Sequence, residues 1–196
     1  MRAAIALFTR DLRVHDNPAL VAALAAAETV LPLFVLDSGI GSTRYGAAAN
    51  RRAFLHEALT DLDATLRGLG GALAVSRGEV VAEAVRAARE VGATTVFATA
   101  DVSRYAVERE RRLARQLDLR LVDGTFVVPP GEVTPSGSDH YQVFSPYHRA
   151  WSQVPFGRPL PAPRAVRLPD GVDPGALHGA VPAPLPAAAR VRMPGG

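Results

Sequence analysis

Charged and amide side chains are concentrated in a short segment near the start of the chain. Five of them fall within eight residues: Arg10, Asp11, Arg13, Asp16 and Asn17. Guanidinium and carboxylate groups at this spacing can pair within one turn, and a carboxylate is stabilised at the start of a helix. We therefore predict an ion-paired, capped turn that fixes the loop in place. Direct contact of these side chains with a ligand is the alternative.

A second set of polar side chains lies between residues 101 and 109. Tyr105 and Arg109 are four residues apart, so on a helix they share one face. Asp101 and the more distant Arg51 could offer a carboxylate and a guanidinium to a polar, planar ligand. The alternative interpretation of this segment is a solvated helix face that binds nothing.

The composition excludes or disfavours other chemistries. There is no cysteine, which excludes disulfides, thiolate metal sites and a cysteine nucleophile. There is no lysine either, which excludes a Walker-type phosphate loop, and the glycine-free segment 9–17 disfavours a GxGxxG dinucleotide site. The five histidines lack the spacing of metal ligands, so we expect no metal site. A net charge of +3 is too small to indicate a nucleic-acid surface by itself.

Short apolar runs alternate with segments of helical periodicity over the first 122 residues. Strands are predicted at 3–9, 29–36, 72–76, 94–99 and 120–122, and helices at 17–27, 49–69, 80–91 and 103–117. Asn17 is the expected N-cap of the first helix and Pro18 its first residue. This alternation predicts an α/β fold with a Rossmann-like, doubly wound, five-stranded parallel sheet of order 3-2-1-4-5.

Ligands of open parallel sheets bind beyond the carboxyl ends of the strands, where the strand order reverses. In the predicted order this point lies between strands 1 and 4. The segments 10–17, 37–49 and 100–109 are therefore the expected walls of a binding site.

The alternation stops at Gly124, and the rest of the chain is predicted to be irregular. We expect the α/β domain to span residues 1–130 and an aromatic-rich segment, 131–154, to pack on it. Ten of the 16 prolines lie between Pro155 and Pro194, so residues 155–196 are predicted to be a linker or extended arm that cannot form a packed core of its own. No apolar run approaches the roughly 18 residues of a membrane span, and the apolar start is too short for a signal peptide. We expect a cytoplasmic protein without a membrane partner.

Three segments resemble motifs of the DNA photolyase/cryptochrome family: residues 7–20 (LFTRDLRVHDNPAL), 33–37 (LFVLD) and 131–151, which ends in YQVFSPYHRAW. The first is similar to the family's opening signature and the second to its second strand. The third is similar to its Tyr-x-Val-Phe-Thr-Pro-Phe-x-Lys-x-Trp segment. The resemblance covers about residues 1 to 155.

The resemblance implies the N-terminal domain of a deoxyribodipyrimidine photolyase, a carbon-carbon lyase that uses light to repair cyclobutane pyrimidine dimers in DNA. Such a domain binds a light-harvesting antenna chromophore. FAD and the flipped dimer bind to a helical domain, whose motifs this sequence lacks, so the resemblance implies no catalytic residue here and no repair by the chain alone. Three alternatives remain open: a cryptochrome-type photoreceptor domain, a stand-alone nucleotide-binding module and a protein-interaction module.

Carried over residue by residue, the resemblance also implies an antenna site. An 8-hydroxy-5-deazaflavin pocket of this family would use Val35, Leu36, Asp37, Arg51, Asp101, Val102, Ser103, Arg104, Tyr105, Glu108 and Arg109. Ser103 replaces an acidic residue common in that pocket. A folate antenna (methenyltetrahydrofolate) would use Glu108 and an asparagine before it, where this chain has Val107. The resemblance therefore favours the deazaflavin type.

Overall fold

The computed structural model describes residues 1–43 and 48–172, and predictions that concern residues 44–47 and 173–196 lie outside these ranges. Its five strands are β1 (Ala3–Phe8), β2 (Thr29–Asp37), β3 (Ala74–Gly78), β4 (Thr95–Thr99) and β5 (Asp118–Val122). Its helices are α1 (Pro18–Ala26), α2 (Ser38–Gly41), α3 (Ala49–Gly68), α4 (Val80–Glu90), α5 (Arg104–Ala114) and α6 (Phe144–Trp151). The strands pair in parallel in the order β3-β2-β1-β4-β5, which confirms the predicted fold class and strand order.

The central strand β1 is buried along its whole length, and its alternating side chains enter two separate cores. Ile5 and Leu7 pack with side chains of α4 and with Leu113 of α5 on one face of the sheet. Ala4 and Phe8 pack with side chains of α1 and α3 on the other face. Both faces of the sheet are covered, as a parallel sheet requires.

The start of α1 confirms the predicted cap. The side-chain oxygen of Asn17 accepts a hydrogen bond from the backbone N–H of Leu20 at 2.9 Å, and Pro18 is the first helical residue. The Asn17 side-chain amide donates to the carbonyls of Asp11 (3.2 Å) and Arg13 (3.0 Å). One buried amide therefore starts the helix and also holds the preceding loop.

Two short helices lie where the sequence predicts irregular structure. The four-residue α2 follows β2 directly, and the Asp37 side chain caps it by accepting from Gly39 N–H at 2.7 Å. In α6, His148 lies against the rings of Phe144 and Trp151, and Pro146 falls in the first turn, where a missing N–H costs no helical bond. None of the α6 side chains is buried, so the expected packing of this segment on the domain is not observed for the helix.

The proline-rich segment up to residue 172 follows the surface of the α/β domain and packs on it at several positions: Val166 enters one core, Pro169 is buried and Val172 packs against the other core. Val166 is only 2% exposed, and its N–H donates to the carbonyl of Leu69 at 2.8 Å. Nothing in the sequence indicates that a residue of this segment enters the core of the α/β domain, as Val166 does. The segment passes closely over Gly71, where a Cβ would lie 2.8 Å from Val166 Cγ1, so only glycine fits without displacement.

No helix in the two described ranges combines the length and the apolar character that a bilayer span demands.

Candidate functional site

A cavity of about 950 Å³ lies at the carboxyl ends of β1 and β2, beside α2 and α3. This is the carboxyl edge of the sheet, but the cavity lies over β1, β2 and β3 rather than at the predicted point between β1 and β4, and Arg109 is the only residue of segment 100–109 that lines it. The volume falls within the range of about 300–1,000 Å³ that is typical of small-molecule sites.

The floor of the cavity is apolar and rigid. Phe8, Phe34, Val35 and Leu59 line it, and all four belong to the buried cores. Phe54 of α3 lines the cavity as well, but about half of its surface is open to solvent. A flat, apolar ring system can pack against aromatic and aliphatic side chains of this kind.

Charge at the cavity is mostly positive. Five guanidinium groups line it: Arg10, Arg51, Arg52, Arg77 and Arg109. Among the lining residues of the described ranges, Asp37 alone is acidic. The cavity therefore joins an apolar floor to a basic surround.

Asp37 connects the end of β2 to α5. The hydroxyl of Tyr105 donates a hydrogen bond to Asp37 Oδ2, while Asp37 Oδ1 accepts from Gly39 N–H. Partial burial, followed by the hydrogen bond to the Asp37 carboxylate, raises the pKa of Tyr105 to about 12. Tyr105 does not line the cavity itself and acts by holding Asp37.

A second group of charges holds two of the cavity arginines. Asp101 has an almost fully buried side chain that pairs with Arg10 Nε at 2.6 Å and accepts from Ser103 N–H at 2.9 Å. Arg109 lies 3.5 Å from the carboxylate of Glu110, which is also buried. These contacts fix one guanidinium after β1 and another on α5.

Burial acts on both carboxyls of this group, with opposite outcomes. Burial tends to raise the pKa of Asp101, but the backbone N–H of Ser103 and the charges of Arg10 and Arg109 together lower it below the ordinary value. Burial also raises the pKa of Glu110, and its neighbour Arg109 offsets this only in part.

The structure brings together only part of the predicted antenna set. Val35, Leu36, Asp37, Arg51 and Arg109 line the cavity. Asp101 and Val102 instead line a separate cavity of about 170 Å³.

The remaining members of the predicted set lie elsewhere on α5 or at its start. Ser103 caps α5, with its hydroxyl accepting from Ala106 N–H at 3.3 Å. Arg104 is exposed and does not line the cavity. Glu108 is also exposed, and its carboxylate oxygen lies 4.0 Å from the guanidinium of Arg111.

All five candidate residues of the loop before α1 form structural contacts, and that of Arg10 is the ion pair with Asp101 described above. Arg13 donates to the Asp16 carbonyl at 2.8 Å and lies 3.6 Å from its carboxylate. Asp11 accepts from the Thr99 hydroxyl at 2.5 Å, and Asn17 caps α1. Arg10 alone among the five lines the cavity.

Sequence reasoning did not identify several residues that line the cavity. Arg77 is on β3 beside Leu36 of β2, and Arg52 follows Arg51 on α3. The end of β3 lies on the same sheet edge as the ends of β1 and β2, so extending the carboxyl-end rule to this strand would have found Arg77. His56, whose Nδ1 is buried without a hydrogen-bond partner in the described ranges, had no sequence signal.

Residues 4–164 match the family model of DNA photolyase. The chain is 46% identical over 179 residues to a deoxyribodipyrimidine photo-lyase of Streptomyces griseus, an alignment that covers 88% of this chain and 39% of the relative. It is 34% identical to a cryptochrome DASH of Natronomonas pharaonis, in an alignment that covers 89% of this chain and 39% of that relative. The chain thus spans about two-fifths of the length of these curated relatives.

Solved structures of photolyases have the same fold. A bacterial class III photolyase from Agrobacterium tumefaciens superposes with a TM-score of 0.78 at 23% identity, over 86% of this chain and 36% of that one. An archaeal photolyase from Sulfolobus tokodaii, solved with two FAD molecules, gives 0.77 at 20% identity, over 94% and 42%. The solved structures establish the fold alone, whereas the family model and the sequence relatives establish the family. The chain belongs to the DNA photolyase family.

Proposed function

We propose that this chain is the antenna-binding α/β domain of a photolyase that repairs cyclobutane pyrimidine dimers in DNA with light. The observation that carries the proposal is the cavity at the carboxyl ends of β1 and β2, with its apolar floor and charged surround, in a chain of this family. The S. griseus relative, a deoxyribodipyrimidine photo-lyase, supports the choice of reaction.

The cavity fits a planar chromophore with polar edges. Its ring system would lie on Phe8, Phe34 and Val35, with Phe54 of α3 beside it. Arg51 and Asp37 would contact the polar edge of the ring. When bound, the chromophore supplies absorption of light and transfer of the excitation energy to reduced FAD in a helical domain.

We propose an 8-hydroxy-5-deazaflavin rather than a folate as the antenna. Glu108, the acidic residue that a folate site would use, is exposed on α5 and does not line the cavity. Val107 precedes it in place of an asparagine and is only partly exposed. Because Glu108 belongs to the deazaflavin set as well, the choice is supported by Val107 and by the five deazaflavin residues that line the cavity, Val35, Leu36, Asp37, Arg51 and Arg109.

The partner that completes the enzyme is proposed to be the FAD-binding helical domain, which would also bind the damaged DNA. The apolar side chains of α6 support a further packing partner, because Phe144 is 73% exposed and Val143 and Tyr147 are exposed beside it. Contiguous exposed apolar side chains of this kind mark interaction surfaces.

A titration of residues 1–196 with 8-hydroxy-5-deazariboflavin tests the antenna proposal. Phe54→Ala removes an aromatic contact from the cavity, and we expect it to weaken binding about tenfold. Val127→Ala is the matched control, since Val127 is exposed and does not line the cavity. Absence of binding to the unmodified chain, or equal binding by the two variants, would contradict the proposed site.

A further inference from the structure

Three of the cavity arginines differ from the other two in their partners. Arg51 and Arg52 at the start of α3 and Arg77 on β3 are exposed and line the cavity. Within residues 1–43 and 48–172 none of the three forms an ion pair, whereas Arg10 pairs with Asp101 and Arg109 with Glu110. We call Arg51, Arg52 and Arg77 the arginine rim.

No carboxylate in the described part of the lining pairs with the arginine rim. Asp37 is the one acidic residue in the described part of the lining, and its two carboxylate oxygens already accept from Tyr105 and Gly39. Three guanidinium groups beside an apolar floor produce a positive potential that water screens less than on an open surface. A guanidinium also binds oxyanions through paired N–H donors.

We infer that the arginine rim selects a chromophore that carries a negative charge over an otherwise identical neutral one, which presupposes the antenna site proposed above. The charge has two possible chemical sources. It can lie on the ring, as an ionised hydroxyl, or on the side chain, as a phosphate. In either case the floor binds the ring system, and the arginine rim distinguishes charged from neutral forms.

Two matched pairs of ligands separate these sources. FMN and riboflavin differ only in the side-chain phosphate. 8-Hydroxy-5-deazariboflavin can lose a proton from its ring oxygen, whereas its 8-methoxy analogue cannot. The two compounds are compared at the same pH, chosen so that the absorbance of the 8-hydroxy compound shows its hydroxyl to be ionised. Each ligand is titrated into residues 1–196 and followed by its own fluorescence. We expect at least one charged member to bind about tenfold or more tightly than its neutral partner, with the ratio falling as salt is added.

Variants of the arginine rim connect the preference to these residues. The double change Arg52→Gln and Arg77→Gln keeps polar side chains and removes two charges, so it should reduce the charged-to-neutral affinity ratio severalfold while leaving the neutral ligand little affected. Arg89→Gln is the matched control, because Arg89 is an exposed arginine of α4 that does not line the cavity and forms no ion pair within the described ranges.

The outcomes keep this inference distinct from the proposed function. A preference in the FMN pair assigns the charge to the side chain, a preference in the deazaflavin pair assigns it to the ring, and either supports the inference if the double variant reduces it. Binding of charged and neutral members with equal affinity overturns the inference and leaves the antenna site intact. A preference that the double variant retains also overturns it. Failure of all four ligands to bind contradicts the antenna proposal itself.

Discussion

Asp37 and Asp101 use the same local contact at the ends of two different strands. Each accepts from the backbone N–H two residues further on, Gly39 at 2.7 Å and Ser103 at 2.9 Å, as aspartates do in turns. The second carboxylate oxygen is then available for a distant side chain, Tyr105 for Asp37 and Arg10 for Asp101. In this way two short side chains connect the carboxyl ends of β2, β4 and β1 and hold the surround of the cavity.

The Asp37–Tyr105 contact gives a prediction at the level of one residue. Asp37→Asn removes the negative charge that disfavours the phenolate, so the pKa of Tyr105 should fall from about 12 part of the way toward its ordinary value, while the larger contribution of burial remains. A titration of phenolate absorbance measures it, and Tyr105→Phe identifies which of the four tyrosines gives the signal. An unchanged titration in Asp37→Asn would show that the carboxylate is not the cause.

The same shift has a consequence for stability. Because the pKa of Tyr105 is higher in the folded chain than in the unfolded one, the contact contributes its full stabilisation below about pH 10. This stabilisation is lost as the pH rises toward 12. Measurements of the free energy of unfolding against pH should therefore show the loss for the original chain and not for Tyr105→Phe.

The side chains at the site show where sequence reasoning reaches its limit. Asp37 and Arg51 could be predicted to lie near the same edge of the sheet because they flank one connection, between the end of β2 and the start of α3. Asp101 could not be placed, since its direction depends on a hydrogen bond to Ser103 and on Arg10 from another loop. Its carboxylate therefore contacts Arg10 and supports the cavity instead of lining it.

At the level of elements, long periodic segments were predictable and short capped ones were not. The buried strands are apolar runs, and α3 and α4 have enough turns to show their periodicity. The four residues of α2 have no period to detect, and they are helical because Asp37 caps them. In α6 the rings of Phe144, His148 and Trp151 lie against one another along one short helix. In the sequence this segment shows only a cluster of aromatic residues, which does not distinguish a short helix from irregular structure.

The contact of the proline-rich segment with the core gives the element-level prediction. Val166→Ala leaves a gap against Gly71 and the α3 side chains of that core, so we expect a loss of about 2 kcal/mol in the free energy of unfolding. Urea unfolding of residues 1–196 measures the loss. Val127→Ala, which removes the same atoms at an exposed position, should change it by less than about 0.5 kcal/mol. Equal effects would show that the segment does not pack as described.

Considered as a whole, the domain has a cavity at one sheet edge and an apolar surface on α6 that its own described residues leave uncovered. The segment between 155 and 172 contributes to this arrangement, because Asp16 and Leu160 exchange hydrogen bonds of 2.8 and 3.1 Å. That contact holds the loop between β1 and α1, and the same loop carries Arg10 to the cavity. The chain that follows α6 therefore stabilises the loop that carries Arg10, while α6 itself presents its apolar side chains outward.

The α6 surface gives the prediction for the whole molecule. Changing Val143 and Phe144 to serine should leave the free energy of unfolding of residues 1–196 within about 0.5 kcal/mol of the original, because both side chains are mostly exposed. The same change should reduce the binding of a dye that fluoresces on apolar surfaces, and reduce any self-association seen by sedimentation, since it removes most of the exposed apolar area of the helix. Val166→Ser is the contrasting variant, as it should lower stability and increase dye binding through partial opening of the core. If the α6 double variant loses stability as Val166→Ser does, then α6 is packed against the α/β domain, and its apolar side chains are not available to a helical domain.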